Sequence, residues 1–166
     1  MKKICYILSF MLVSFLFMGC PYDSETPIDK TPSVKIDQNL IGVWGPETTS
    51  DSTTYTITKV DDFTYLIKKE STSSNETTIT KYKGYLSEVG GEKFFNIWED
   101  NNSETRKYYF YKLEWADNNK KLVMHEVTDN ITETFTSSDD LKKFIQTNMK
   151  LSFFFNKSTN TYLKKS

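Results

Sequence analysis

The sequence predicts an all-β protein: an antiparallel up-and-down barrel of about eight strands, with one C-terminal amphipathic helix and a short terminal strand. Three observations predict it. From Leu40 onward, short runs of β-branched and aromatic residues recur, each stopped by turn chemistry. Helical spacing occurs once, late in the chain, at Leu141, Phe144, Ile145 and Met149. Aromatics make up 15% of a chain whose mean hydropathy is only -0.54, so they must fill a core or line a pocket.

In order, the first predicted strand is 40–44, ended by Gly45-Pro46. The second is 53–60, with Tyr55 and Ile57 alternating. Asp61-Asp62 turns the chain into 63–69, where Phe63, Tyr65 and Ile67 share a face. A polar loop precedes 77–89, in which Gly84 marks a bulge or a close approach. Gly90-Gly91 is the strongest hairpin signal in the chain, since both residues tolerate positive φ. Strands at 94–98, 107–115 and 121–127 continue the meander, and 131–136 is the last of the series. Ser137 then caps a helix of about three turns, with Asp139 and Asp140 in its first turn, where the helix dipole favours negative charge. A short strand at 161–163 follows.

The N-terminal part reads differently. Lys2 and Lys3 lead an apolar run up to Met18, short for a bilayer-spanning helix and right for a signal peptide. Gly19-Cys20 at its end resembles the bacterial lipoprotein signal, which implies cleavage before Cys20 and acylation of its thiol. The predicted domains are therefore a signal at 1–19, a lipidated cysteine with a flexible tether at 20–38, and a barrel domain at 39–166. The tether reading rests on Pro21, Pro27 and Pro32 among Ser, Thr, Asp and Lys; extended at about 3.1 Å per residue, it would hold the barrel roughly 50 Å from the membrane. Pro21 stands where an aspartate would retain a lipoprotein at the inner membrane, so the expected location is the outer membrane, on its periplasmic face or at the cell surface.

Composition excludes several function classes. The two cysteines are Cys5, inside the signal, and Cys20, which leaves the mature domain without a thiol for a disulfide, a zinc site or a nucleophile. Net charge is -1, and -3 once Lys2 and Lys3 are removed; with Arg106 as the sole arginine, nucleic acid is not an expected partner. His125 is the only histidine and alternates with Val123 and Val127, as a strand residue rather than a catalytic one. Asp100, Asn102 and Glu104 have the spacing that opens a calcium loop, but Thr105 and Tyr111 replace its glycine and its final glutamate, so a hairpin turn is expected. Glu114 and Glu126 sit on neighbouring strands and could face each other as an acid pair. Asp51-Ser52-Thr53 looks like a short O-glycan attachment motif. No catalytic, cofactor-binding or metal residues are assigned, and no enzyme activity is expected.

Gly42-Val43-Trp44 matches the opening Gly-x-Trp of the lipocalins, in which the glycine permits a close turn and the tryptophan plugs the barrel base. With the order of elements, the chain resembles small lipocalin-like bacterial lipoproteins. The resemblance implies a fold and no mechanism. An eight-stranded barrel either fills with side chains or holds one small ligand. Tyr65, Tyr82, Trp98, Tyr109 and Tyr111 are the candidate lining residues, and their bulk favours filling. The expected roles are a monomeric binding module for a small hydrophobic ligand, or a filled barrel that contacts an envelope protein.

Overall fold

Seven strands follow one another as antiparallel neighbours, and an eighth, arriving after the helix, closes the ring. The computed structural model describes residues 21–48, 52–73 and 76–165; the predicted signal and Cys20 lie outside the described residues. A two-residue strand, β1 (Asp23–Ser24), precedes the ring. The ring strands are β2 (Gly42–Pro46), β3 (Thr53–Lys59), β4 (Thr64–Ser73), β5 (Glu76–Val89), β6 (Glu92–Glu99), β7 (Tyr108–Ala116), β8 (Lys121–Glu126) and β9 (Asn160–Lys165). Helix α1 (Ser138–Asn148) lies between β8 and β9. Strand β9 pairs with β2 on one side and β8 on the other, and β1 bonds outside the ring to the first residues of β7.

Period-2 alternation sorts the side chains onto two sides of this wall. Trp44, Ile57, Tyr65, Ile67, Leu86, Phe95, Leu113 and Leu122 point inward and form the barrel core with Leu40. The opposite faces of β5, β6 and β7 are also apolar: Tyr85, Phe94, Trp98, Tyr108 and Phe110 build a second core outside the barrel. Helix α1 covers that outer core with Leu141 and Ile145, both 1% exposed. Its N-cap is Ser137, whose Oγ accepts from the Asp140 N–H at 3.1 Å and donates to Asp140 Oδ2 at 2.8 Å. The run from Tyr108 to Tyr111 thus faces both ways: Tyr108 and Phe110 join the outer core, while Tyr109 and Tyr111 face the barrel interior.

Turn chemistry fixes the register. Gly90 and Gly91 adopt φ of 59° and 86° between β5 and β6, and Asp117, Asn118 and Asn119 are left-handed between β7 and β8. Asp61 Oδ1 accepts from the N–H groups of Phe63 and Thr64, both at 2.8 Å, and tightens the β3–β4 turn. Gly84 interrupts no pairing, since the β4–β5–β6 ladder runs straight through it. It is a close-approach point: a Cβ there would stand 2.9 Å from the Asn96 carbonyl oxygen.

One end of the barrel is sealed. A 3-10 turn at Gln38–Leu40 lies across it, and Trp44 Nε1 donates to the Leu40 carbonyl at 2.9 Å. Lys164 Nζ sits 5.4 Å from the Trp44 ring centroid and donates to the Asn39 carbonyl at 3.0 Å. Gly42, at φ 139°, carries no Cβ to obstruct the Lys164 stem, which passes 2.9 Å from where one would be.

Two expectations are corrected. Residues 131–136 form no strand, although Ile131 and Phe135 alternate as one would. The pairing edge of β8 is taken by β9, so this segment lies over the outer core instead. Residues 21–38 are not a free tether. Tyr22 and Ile28, at 8% and 0% exposure, bury in the outer core, and Pro21 bridges to Thr128. Polar groups from distant strands pin the strap: the Ile28 N–H donates to Asn96 Oδ1 at 2.9 Å, Lys142 Nζ to Asp29 Oδ1 at 2.7 Å, and Thr26 Oγ1 to the Phe135 carbonyl at 2.6 Å.

Candidate functional site

The sealed end forces the question of what fills the other. Below, Leu40, Trp44, Tyr65, Leu86 and Leu113 occupy the barrel axis, with Tyr65 fully buried. Above them the side chains leave a cup of about 400 Å³, within the range that small-molecule sites occupy. The bulk of the inward aromatics fills only the lower half. The expected filled interior therefore holds for one end of the barrel and not for the other.

The lining follows the inward parity of each strand. Strand β2 gives Trp44, β3 gives Tyr55 and Ile57, β4 gives Ile67 and Lys69, and β5 gives Tyr82. Strand β6 contributes Phe95, Ile97 and Glu99, β7 contributes Tyr109 and Tyr111, β8 contributes Leu122 and Met124, and β9 contributes Asn160 and Tyr162. Pro21 completes the wall. The deep part is apolar and aromatic. The rim carries Lys69, Glu99 and Asn160, one cation, one anion and one amide.

Phenol groups give the cup its polar points. Tyr55 and Tyr162 meet edge to face, their ring centroids 5.2 Å apart. Burial pushes the Tyr111 phenol well up, and Glu126, which bonds its hydroxyl, pushes it further. Glu126 is itself oriented by Asn156, whose Nδ2 donates to Oε2 at 2.7 Å. Tyr82 is raised by burial and then by the charge of Glu99. Both Tyr82 and Tyr111 therefore hold their protons at neutral pH and present neutral hydroxyls to anything inside the cup.

No family model, curated protein or solved structure matches the chain.

Of the five lining candidates read from the sequence, the structure brings Tyr82, Tyr109 and Tyr111 to the cup. Tyr65 belongs to the sealed half, where its hydroxyl accepts from the Asp37 N–H at 2.6 Å. Trp98 faces outward, stacked under Arg106, whose guanidinium carbon is 4.6 Å from its centroid beside a polar hollow in the β6–β7 loop. Its parity is opposite to that of its neighbours Ile97 and Glu99, and because both faces of β6 are apolar, pattern alone did not sort them. Tyr55 and Tyr162 were missed; Tyr55 carried a signal in its alternation with Ile57, whereas Tyr162 lay in a segment too short to be oriented.

The remaining candidates are ordinary structure. Glu114 and Glu126 are on opposite faces of the wall and form no acid pair: Glu114 Oε2 lies 3.0 Å from His125 Nε2 on the outside, while Glu126 meets Tyr111. Asp100 takes Lys83 at 2.9 Å, and Asn101 Oδ1 accepts from the Ser103 N–H in the same loop. Among the described residues no three His, Cys, Asp or Glu side chains cluster as metal ligands would. In the glycan-like motif, Asp51 lies outside the described residues, Ser52 Oγ donates to the Thr72 carbonyl, and Thr53 is buried.

Proposed function

We infer that the protein is a lipid-anchored, non-catalytic binding module of lipocalin-like design whose barrel takes one small hydrophobic ligand. The cup of about 400 Å³ carries this reading: it is open at one end, apolar in depth and polar at its rim, as a site for a mostly apolar molecule with a polar end should be. The plug of Gly42 and Trp44, with Lys164 laid over the ring, supports the lipocalin-like part. The Gly19-Cys20 signal supports the anchor, and Pro21 supports an outer-membrane address.

The binding test is titration of the domain with an environment-sensitive apolar fluorophore, beside an Ile67→Trp variant that fills the cup. Saturable enhancement in the wild type, at least tenfold weaker in the variant, is expected. No saturable binding to a folded wild type would leave the barrel as a surface for protein contacts. The anchor has its own test: Cys20→Ser should abolish incorporation of labelled fatty acid and release the protein from membranes.

A further inference from the structure

The strap that was expected to hold the barrel away from the membrane is instead packed onto the barrel itself. Pro21 lines the open end of the cup and bridges to Thr128 just beyond β8, and the Tyr22 N–H donates to the Val127 carbonyl at 3.0 Å. The chain is thus fixed to the rim at residue 21. Residue 20 is one peptide bond further on, and consecutive Cα atoms stand about 3.8 Å apart. An anchor at Cys20 would be bonded directly to a residue that the fold holds at the rim, so residues 21–38 would not act as a spacer.

We propose that the mouth of the barrel faces the bilayer and that its ligand is a membrane lipid, whose acyl chain enters the cup directly from the membrane. This rests on the reading of Cys20 as the anchor and of the cup as a binding site. Inside, the lining below the rim is apolar and aromatic, from Ile97 and Met124 down to Trp44, with tyrosine rings between them. A lipid entering tail first would bury its chain against these residues and leave its head beside Lys69 and Glu99.

The experiment uses the full acylated chain in phosphatidylethanolamine–phosphatidylglycerol vesicles that contain a phospholipid with a pyrene-labelled acyl chain. With Trp98 and Trp115 replaced by Phe in every form, energy transfer from Trp44, then the sole tryptophan, to pyrene reports entry of the chain. A second form carries a flexible Gly/Ser insert of about 20 residues between Cys20 and Pro21, which would move the anchor roughly 25 Å from the rim. Both forms are confirmed as acylated by mass, and both are titrated with a pyrene-labelled fatty acid in solution after removal of the anchor by Cys20→Ser.

The expected result is strong transfer in vesicles for the native spacing and at least a fivefold loss with the insert, while the two anchor-free forms bind the soluble fatty acid equally. Equal transfer in vesicles with and without the insert would overturn the membrane-facing mouth and leave the cup as a binding site. Transfer in neither arm, including solution, would overturn the binding reading itself. Transfer in solution for the anchor-free form, with none in vesicles for the native acylated form, would mean that the protein's own anchor chain occupies the cup, and would overturn the membrane lipid as ligand.

Discussion

The backbone N–H of Ile28 donates to Asn96 Oδ1 at 2.9 Å, joining the strap to the outer wall of β6 across 68 residues of sequence. Asn96 is fully buried, and its Nδ2 donates to Ser87 Oγ at 2.9 Å and to the Tyr85 carbonyl at 3.3 Å. Every polar atom of that side chain is therefore used in holding the strap against the barrel. Asn96→Ala should cost about 1–3 kcal/mol, because it strands the buried Ile28 N–H and the Ser87 hydroxyl. Limited proteolysis should then cut within 21–38 before the barrel unfolds. A strap that resists protease in the variant as it does in the wild type would show that Asn96 does not hold it.

The sealed end makes a separate prediction, in which two contacts on one ring differ in worth. Trp44 is 1% exposed and bonded to Leu40, so Trp44→Ala should cost about 3–5 kcal/mol by urea denaturation. Lys164 touches the same ring from the solvent side, and Lys164→Gln should cost under about 1 kcal/mol. A small loss at Trp44 would mean that the ring is no plug.

The strands were legible because each inward face alternates and each turn announces itself: Gly90-Gly91 and Asp117-Asn118-Asn119 take the positive φ that their residue types favour. Helix α1 was legible because its cap, its acidic first turn and its apolar spacing agree. Residues 131–136 were misread because Ile131 and Phe135 answer to a second core, and alternation records burial without recording what does the burying. The strap was misread for a related reason. Tyr22 and Ile28 are few, and what holds them is polar and far away in sequence: Asn96, Glu133, Phe135 and Lys142. The cup was half legible, in that Tyr82, Tyr109 and Tyr111 were named, but its depth depends on where the fill from Tyr65 and Trp44 stops.

Alkaline pH should weaken the barrel through Tyr65. Burial pushes this phenol up to about 12 from an ordinary 10.0, against the opposing hydrogen bond from the Asp37 N–H. The folded-state value is raised, so the stabilisation is complete below about pH 10 and is lost as pH rises through about 12. Across that window the group costs about 1.4 kcal/mol per pH unit. Tyr85 and Tyr111 are raised as well, by burial first, and steepen the fall. Urea midpoints measured from pH 9 upward should decline, and Tyr65→Phe should make the decline shallower by one group's share. An unchanged slope in Tyr65→Phe would mean that this phenol titrates normally.

Tyr111 and Tyr65 both point into the barrel, one into the cup and one into the sealed half, and truncating each should tell the halves apart. Tyr65→Ala removes a fully buried ring from among Leu40, Trp44 and Phe95, where nothing can enter the void, so about 3–5 kcal/mol should be lost. Tyr111→Ala instead widens a space that already exists. Water reaches it, and Glu126 keeps its bond from Asn156, so the loss should be nearer 1–3 kcal/mol. Affinity for an apolar fluorophore should fall in Tyr111→Ala, because a wall of the cup has gone. Tyr111→Phe keeps the ring and removes only the hydroxyl that Glu126 bonds, so apolar binding should survive in it. Thermal denaturation and probe titration on the three variants give the answer together. If Tyr111→Ala destabilises as much as Tyr65→Ala and leaves probe binding untouched, then the ring belongs to a packed core and the cup does not bind through it.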